Sequence, residues 1–406
     1  MRSGSRSSRS VGLAAGAVVL LAVAASCSAT PESEKGATAC GGPGVGVEQV
    51  KLGLVLFDSG AASAALASAR AGVDARIGLA NAAGGIHGRK VVYEWRDDAG
   101  DVSRNAVVGE QLVGREGVFG VLMMTGAYAG SRDTMLAHNI PVTGLQLWEW
   151  AEDQNVFSER FQASPLPIGR YIQAGGGHKV GILTTGSAEA TLAAGRVYKD
   201  ALTSIGLAAT EPISFVRSVD SPAQLAQRLA NAGVDSLLGL TAPQDLADIV
   251  QAARAVALPL TSTVSLTGYD HGLLPGLGAK LAGVSFPVYT MPFEAGGAAL
   301  DTYRGAMGRF APEVADPDQQ FALQAYIETD LFLRGLEAAG GCPTREGFIG
   351  ALRRVSDYDA GGLIEPVDLG TTATVPLGCY AFVQITGTGD AFRIVRPRVC
   401  ADSASS

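Results

Sequence analysis

The hydrophobic pattern of residues 50–146 alternates between short apolar runs and longer amphipathic stretches. Residues 50–57 form an apolar run that is typical of a strand buried on both faces. A stretch with one apolar helical face follows and ends at Gly84-Gly85, where glycine suits a helix C-terminus. The alternation continues with predicted strands at 90–95, 118–124 and 140–144 and predicted helices at 103–116 and 130–138.

The same alternation starts again at residue 180. It predicts strands at 180–185, 212–216, 236–240, 260–264 and 283–288, separated by helices at 188–205, 222–232 and 244–256. Two further helices, at 321–336 and 344–355, and a hairpin that turns at residues 387–390 close the chain. Strands that alternate with helices predict parallel sheets with right-handed crossovers. Two such series therefore predict an α/β protein with two doubly wound parallel-sheet lobes.

The first 26 residues have the pattern of a signal peptide. Three arginines and no acid stand among the first ten residues, an apolar run covers residues 11–25, and Ser26-Cys27 follows. The run is short for a bilayer core of about 30 Å, which disfavours a permanent transmembrane helix. Ala24-Ala25-Ser26-Cys27 resembles a bacterial lipobox, which implies export, lipidation of Cys27 and anchoring at the outer face of the cytoplasmic membrane. The alternative is a secretory peptide cut near Ala29.

Composition adds a tether and an acidic surface to this picture. Residues 27–46 are small, polar and rich in glycine and proline, which predicts a flexible tether. The chain has a net charge of −8, and removal of residues 1–26, which hold three arginines and no acid, changes it to −11. An acidic surface disfavours nucleic acid as a partner, because phosphates need lysine and arginine patches. It also leaves the lipid anchor as the expected contact with the bilayer.

Four cysteines follow the predicted anchor: Cys40, Cys342, Cys379 and Cys400. An even number in an exported chain favours two disulfides, and no Cys-x-x-Cys or Cys/His pair has the spacing of a zinc site. The sequence leaves the pairing open. Our first expectation is Cys342–Cys379 with Cys40–Cys400, and the alternative is Cys379–Cys400 across the final hairpin.

Signatures of catalysis are missing from the sequence. No Gly-x-Ser-x-Gly elbow, His-Glu-x-x-His pair or phosphate-binding loop occurs, and the four histidines are scattered. The acids of residues 97–101 are predicted to form a turn and cap the next helix rather than bind a cation. We therefore expect a binding protein rather than an enzyme, with no cofactor and no metal site.

Several short segments resemble the type I periplasmic solute-binding proteins of the leucine/isoleucine/valine-binding class. The resemblance is strongest in the first lobe and rests on residues 56–60 (LFDSG), 81–90 (NAAGGIHGRK), 95–101 (WRDDAGD) and 139–142 (NIPV), with 325–326 and 358–362 in support. It covers roughly residues 48–400. It implies the substrate-binding lipoprotein of an ABC importer: a monomer that captures a small organic ligand and delivers it to a membrane permease. The alternative is a sensing protein of the same fold that reports to a membrane receptor.

The resemblance also implies how the lobes are assembled from the chain. The chain is expected to cross between the lobes in three hinge segments, near residues 163–167, 286–289 and 366–376. Lobe 1 would then comprise residues 47–165 and 288–366, and lobe 2 residues 166–287 and 367–402.

The ligand site is predicted from a rule of open α/β sheets, whose ligands bind beyond the carboxyl ends of the strands. Short hydroxyl residues and glycine suit such loops, because they offer donors and bare backbone N–H groups. Trp148 is predicted to form a pocket wall and Trp150 to pack internally. The candidate ligand-binding residues are Asp58, Ser59, Thr125, Gly126, Tyr128, Gln146 and Trp148 in the first lobe and Ser187, Thr241, Ser265 and Tyr269 in the second.

The same loops predict the class of ligand. The resemblance implies that, in the amino-acid binders, an acid just after the strand at 260–264 holds the ligand's ammonium. This chain has Val264-Ser265-Leu266 there, with no acid. An unpaired buried ammonium costs several kcal/mol, so we expect an uncharged, anionic or aromatic solute, amino-acid-like or amide ligands included, rather than a simple zwitterionic α-amino acid. The counter-case is that Glu189 or Asp270 supplies the charge.

Overall fold

The structure is a computed structural model that describes residues 40–60, 63, 66–145, 147–160, 163–187, 189–371 and 375–402. The predicted signal peptide, Cys27 and residues 27–39 of the predicted tether lie outside the described residues, as does Gln146. Within the described ranges, no helix combines the length and apolarity that crossing a membrane requires.

Two sheets organise the described chain. The first has the order β2-β1-β3-β4-β5 and is parallel throughout. The second has the order β13-β12-β11-β10-β9-β6-β7, with β8 also paired to β6. The strands are β1 (Gln49–Leu56), β2 (Lys90–Asp97), β3 (Val121–Met124), β4 (Val142–Leu145), β5 (Val156–Phe157), β6 (Lys179–Thr185), β7 (Ala208–Ala209), β8 (Ile213–Phe215), β9 (Ser236–Leu240), β10 (Ser262–Ser265), β11 (Ser285–Val288), β12 (Cys379–Ile385) and β13 (Phe392–Cys400).

Helices cover the faces of both sheets, which makes the two-lobed α/β prediction correct. Helices α1, α8, α9 and α10 pack together on the first sheet, with α9 against β4. The predicted helix at 103–116 ends earlier, and a π-helical segment, Gln111–Arg115, continues it. The helices are α1 (Ala69–Ala82), α2 (Val102–Glu110), α3 (Arg132–Ala137), α4 (Leu166–Ala174), α5 (Glu189–Ser204), α6 (Pro222–Asn231), α7 (Pro243–Ala255), α8 (Ala298–Phe310), α9 (Gln320–Ala339) and α10 (Arg345–Leu352).

The second lobe differs from the first at one edge of its sheet. Strand β12 runs antiparallel to both β11 and β13, so the predicted hairpin extends an otherwise parallel sheet. Its register places Cys379 directly opposite Cys400, and the two form a disulfide with a Cα–Cα distance of 4.0 Å. The alternative pairing of the sequence analysis is therefore the observed one.

The other disulfide corrects both our first pairing and the extent of the tether. Cys40 is bonded to Cys342, which follows α9, so the expected Cys342–Cys379 and Cys40–Cys400 pairs are wrong. Cys342 follows a first-lobe helix whereas Cys379 begins a second-lobe strand, which explains the error. Residues 40–46 also pack on the first lobe. Gly44 has a φ of 73° and lies so close to the chain at Phe119 that a Cβ would come within 2.2 Å of the Phe119 nitrogen. The predicted tether thus does not extend over residues 40–46.

The chain crosses between the sheets three times: after β5, after β11 and before β12. The first and third crossings lie side by side, because Ala163 and Leu377 form a parallel bridge and the N–H of Ser164 donates to Leu377 O at 3.0 Å. Tyr289, at the second crossing, packs edge-on against Tyr380 with ring centroids 4.5 Å apart. These contacts form a three-segment hinge. The residue limits of the lobes stay a prediction.

Candidate functional site

The first-lobe edge is organised by two adjacent acids at the end of β2. Asp97 accepts hydrogen bonds from the backbone N–H groups of Asp58, at 3.1 Å, and Ser59, at 3.3 Å, and from the Ser59 hydroxyl. Burial raises the pKa of Asp97, but these hydrogen bonds and one from the Ala99 N–H outweigh it and lower the pKa overall. The loop after β1 is therefore held in place while Asp58 and Ser59 themselves stay exposed.

The second acid, Asp98, is fully buried beneath this loop. It accepts from the Asn105 side chain at 2.8 Å, from the Gly100 N–H at 2.8 Å and from the Thr125 hydroxyl at 3.1 Å. Burial raises the pKa of Asp98, and these donors partly offset the rise. Asp101 caps α2 by accepting from the Arg104 N–H at 2.8 Å, which confirms the turn-and-cap interpretation of these acids.

Two first-lobe predictions about aromatic residues have opposite outcomes. The Tyr128 ring is fully buried in the lobe's core, so its predicted place in a ligand pocket is wrong. Trp150 packs edge-on against Tyr128, with centroids 5.8 Å apart, and beneath the Arg132 guanidinium, which confirms its packing role. Trp148 opens a short 3₁₀ helix, but its side chain and the whole of Gln146 lie outside the described residues.

The second-lobe edge is organised by Asp245 near the start of α7. Asp245 is 4% exposed, accepts from the Thr185 hydroxyl at 2.7 Å and pairs with Arg217 at 2.6 Å. The Thr185 hydroxyl in turn accepts from the Ala242 N–H at 2.8 Å. This network joins the loops that follow β6 and β9, the positions that the sequence analysis selected.

The predicted hydroxyl residues of this edge divide into three kinds. Ser187 is exposed. Ser265 is fully buried, and its hydroxyl donates to Thr267 O at 2.7 Å, so it shapes its own loop. Thr241 is 2% exposed, and its buried hydroxyl has no hydrogen-bond partner among the described residues. Ser187 and Thr241 keep capacity for a ligand, whereas Ser265 and Thr125 use theirs within the protein.

Tyr269 lies in an aromatic cluster rather than in an open cleft. It is 3% exposed, and its ring packs against Phe286, Phe293 and Phe392. Its hydroxyl donates to Glu294 at 2.7 Å and accepts from the Phe293 N–H at 2.7 Å. The hydroxyl of Tyr269 is therefore engaged within the protein, while its ring lines a small pocket together with Tyr289 and Gln324, so ligand binding by Tyr269 stays a prediction.

The two acids of the counter-case are also engaged. Asp270 accepts from the Gly272 N–H at 2.9 Å, and burial raises its pKa to about 6. Glu189 is largely exposed and pairs with Arg196 on the same helix. A candidate cation site in the same region is weak, because one of its acids already has a cationic partner. His271, Asp316 and Asp318 converge, but Arg304 donates to both carboxylate oxygens of Asp318, at 2.8 and 2.6 Å.

A polar cluster that no sequence motif predicted lies at the hinge. The Arg160 guanidinium lies 3.8 Å from the centroid of the Tyr289 ring. Nearby, Glu328 of α9 is 1% exposed and accepts from the Ser158 hydroxyl at 2.7 Å. Burial raises the pKa of Glu328 well above its ordinary value, and the neighbouring Glu159 raises it further. No local motif marks these residues, because they come from distant parts of the chain.

The sequence profile of a family described as "Periplasmic binding protein" matches residues 49–390. This chain belongs to that family. Members of the family are binding proteins rather than enzymes, in agreement with the missing catalytic signatures. No curated protein sequence matches the chain.

Solved structures share the fold of this periplasmic binding protein at low sequence identity. A fatty acid ABC transporter substrate-binding protein from Thermomonospora curvata has a TM-score of 0.76 at 18% identity, covering 89% of this chain and 95% of that one. The branched-chain amino acid binding protein LivJ from Streptococcus pneumoniae, in complex with isoleucine, has a TM-score of 0.70 at 17% identity, covering 86% and 100%. A solute-binding protein from R. palustris in complex with benzoate has a TM-score of 0.69 at 16% identity, covering 88% and 99%.

Proposed function

We propose that this chain is the extracytoplasmic solute-binding component of an ABC importer. The observation that carries the proposal is the pair of α/β lobes joined by three adjacent crossings, in a chain of the periplasmic binding protein family. The solved structures named above are those of substrate-binding and solute-binding proteins, and the match extends over nearly the whole length of each. Delivery to a permease, monomeric state and the Cys27 lipid anchor are parts of the same proposal.

The proposed mechanism is closure of the lobes over the ligand. The ligand first contacts one edge, and rotation about the hinge then brings the other edge onto it. The closed form becomes populated because the ligand binds it more tightly than the open form. Among the described residues, the exposed Asp58, Ser59 and Ser187, the exposed backbone of Gly126 and the unpartnered Thr241 hydroxyl support this assignment best.

The proposed ligand is an uncharged, anionic or aromatic solute. Ser265 stands where the amino-acid binders are expected to place an acid, and its hydroxyl is used by Thr267. Asp245 is the buried acid of the second-lobe edge, and Arg217 already neutralises it. An ammonium group would therefore have no free buried acid on this edge among the described residues, and a buried unpaired charge removes affinity. The related structures were solved with ligands as different as isoleucine and benzoate, so the fold itself leaves the class open.

A ligand screen by thermal shift tests the function, because binding to the folded form raises stability by RT ln(1 + [L]/Kd). Amino acids, amides, sugars, fatty acids and aromatic acids form the panel. We expect a shift with aromatic acids or amides and none with leucine, isoleucine, valine or phenylalanine. Thr241→Val should reduce the shift, and Ser265→Ala serves as the matched control because its hydroxyl faces its own loop. Calorimetric micromolar binding of any of the four amino acids would overturn the ligand class. Turnover of a bound ligand would overturn the binding function.

The anchor has its own test. Intact protein taken from the native membrane should carry the mass of a lipid on Cys27, and a Cys27→Ala precursor should leave the membrane fraction. A membrane-purified protein without lipid mass at Cys27 would contradict the anchor while leaving the solute-binding proposal in place.

A further inference from the structure

A second set of contacts joins the lobes outside the three crossings. The loop at residues 266–273, after β10 of the second lobe, lies against the segment 293–320 of the first. The His271 N–H donates to Asp318 O at 2.9 Å, and the Gln320 N–H donates to Tyr269 O at 3.0 Å. Asp270 and Gln319 form an antiparallel bridge, and the Gln320 side chain donates to Leu266 O at 3.3 Å. We call this contact between 266–273 and 293–320 the lobe tie.

One titratable pair lies at the centre of the lobe tie. The His271 Nε2 is 3.0 Å from the Glu294 Oε1, and the other oxygen of Glu294 accepts from the Tyr269 hydroxyl at 2.7 Å. The two side chains are 27% and 15% exposed, so solvent screens the pair only partly. The His271 ring stacks on Phe392 with centroids 5.1 Å apart and lies edge-on to Phe293. A protonated imidazole therefore has an anionic partner across the lobe interface.

The other charged groups around the pair also favour the protonated form of His271. The groups that face His271 from the packed elements are Glu294, Asp316, Asp318 and the adjacent Asp270, with Arg304 engaged by Asp318. Burial by itself lowers the pKa of His271, but Glu294, Asp318 and Asp316 raise it above its ordinary value. Burial also raises the pKa of Asp270 to about 6. The acids that raise the pKa of His271, namely Glu294, Asp316 and Asp318, all come from the first-lobe side of the tie.

We propose that protonation of His271 strengthens the lobe tie, so that acidification holds the lobes together beside the hinge and neutral to alkaline pH loosens them. The sign follows from linkage. A group whose pKa is raised by a contact stabilises the contact below its free pKa and loses that effect as pH rises through the raised value. The pKa of Glu294 is lowered despite its burial, so Glu294 stays an anionic partner of His271 until the pH is low enough to protonate it. The strength of the lobe tie should therefore change most as the pH rises from mildly acidic to mildly alkaline values.

This inference goes beyond the proposed function, because it concerns the lobe contact and needs no ligand. Amide exchange of the ligand-free full chain measures it. The protection factor of the Gln320 N–H, corrected for intrinsic exchange, should fall between pH 5.5 and 8.5. The fall should be about tenfold for each unit by which the contact raises the His271 pKa. The Val234 N–H, which donates to Leu229 O at 3.1 Å within the second lobe and away from the tie, is the control and should not change.

Variants assign the effect to the pair. His271→Gln should abolish the fall at Gln320, and Glu294→Gln should reduce it and lower the pH midpoint of the His271 imidazole signal. An equal protection factor at both pH values in the unmodified protein would overturn the proposal. So would a fall that persists in His271→Gln but vanishes in Asp270→Asn, because Asp270 would then be the responsible group. The unmodified protein supplies a decisive result even where a variant fails to fold.

Discussion

The two candidate edges of the cleft stabilise their acids in different ways. On the first edge, Asp97 and Asp98 are held by hydroxyl, amide and backbone N–H donors. On the second edge, Asp245 is held by one hydroxyl and by the guanidinium of Arg217, which is 48% exposed. The first edge therefore holds its acids with neutral donors, whereas the second pairs its acid with a cation. A loop rich in acids is therefore not necessarily a cation site, because its carboxylate oxygens can accept hydrogen bonds from the N–H groups of the same loop.

The largest expected difference between the edges is in stability. Asp98→Ala removes the acceptor of two buried donors, Asn105 and Thr125, and of the Gly100 N–H, and should lower the free energy of unfolding by about 3 kcal/mol. Urea unfolding followed by tryptophan fluorescence measures it. Asp101→Ala, which removes only the cap of α2, should cost about 1 kcal/mol and serves as the matched control. Equal losses in the two variants would show that the buried network adds nothing beyond a helix cap.

Asp245→Ala should cost less, about 1 kcal/mol, although Asp245 is nearly as buried as Asp98. The reason is that its partner Arg217 is half exposed and becomes hydrated when the acid is removed. The same urea titration provides the value. A loss as large as that of Asp98→Ala would erase the proposed distinction between the edges.

Ser59→Ala and Ser187→Ala compare two exposed serines at corresponding loops. Ser59 donates to Asp97, so its loss should cost about 1 kcal/mol. Ser187 is exposed, and its loss should change stability by less than about 0.5 kcal/mol. If Ser187→Ala proves the more destabilising variant, the first edge is not the more strongly organised one.

The smallest effect is expected in the pH dependence of the first edge. The pKa of Asp97 is lowered in the folded protein, so its stabilising effect is present above the ordinary value of an aspartate and is lost as pH falls through the lowered value. Asp97→Asn should therefore flatten the acidic limb of a plot of stability against pH. Because Asp97 is partly exposed, the change should be slight. An unchanged acidic limb in the variant would remove Asp97 from this role.

The sequence predicted the elements better than it predicted the site. Strand β9 was predicted at its observed limits, and the predicted strands at 90–95 and 180–185 fall within β2 and β6. These predictions succeeded because a short apolar run is a local signal that needs no distant contact. Thr125 directly follows β3 and Ser265 is the last residue of β10, so both lie at the predicted carboxyl ends of strands. Their hydroxyls nevertheless bond inside the protein, and that depends on neighbours such as Asp98 that the strand pattern does not identify.

The aromatic residues show the same limit. Tyr128 and Tyr269 follow strand ends as ligand-binding residues do, yet both rings are buried in cores that distant strands complete. The hinge cluster of Arg160, Tyr289 and Glu328 went unnoticed, because its members are more than 35 residues apart in the chain. No periodic pattern encodes a contact of that kind.

The sequence by itself determined the two-lobed α/β class, the positions of most elements and the cap at Asp101, since each depends on residues within a few positions of one another. Only the tertiary structure decided the disulfide partners, the docking of residues 40–46 and the lobe tie at His271 and Glu294. Cysteine pairing depends on which Cα atoms come within about 7 Å, and the pKa of a histidine depends on which acids surround it in space. Both are properties of the packed chain, because sequence separation carries no information about such distances.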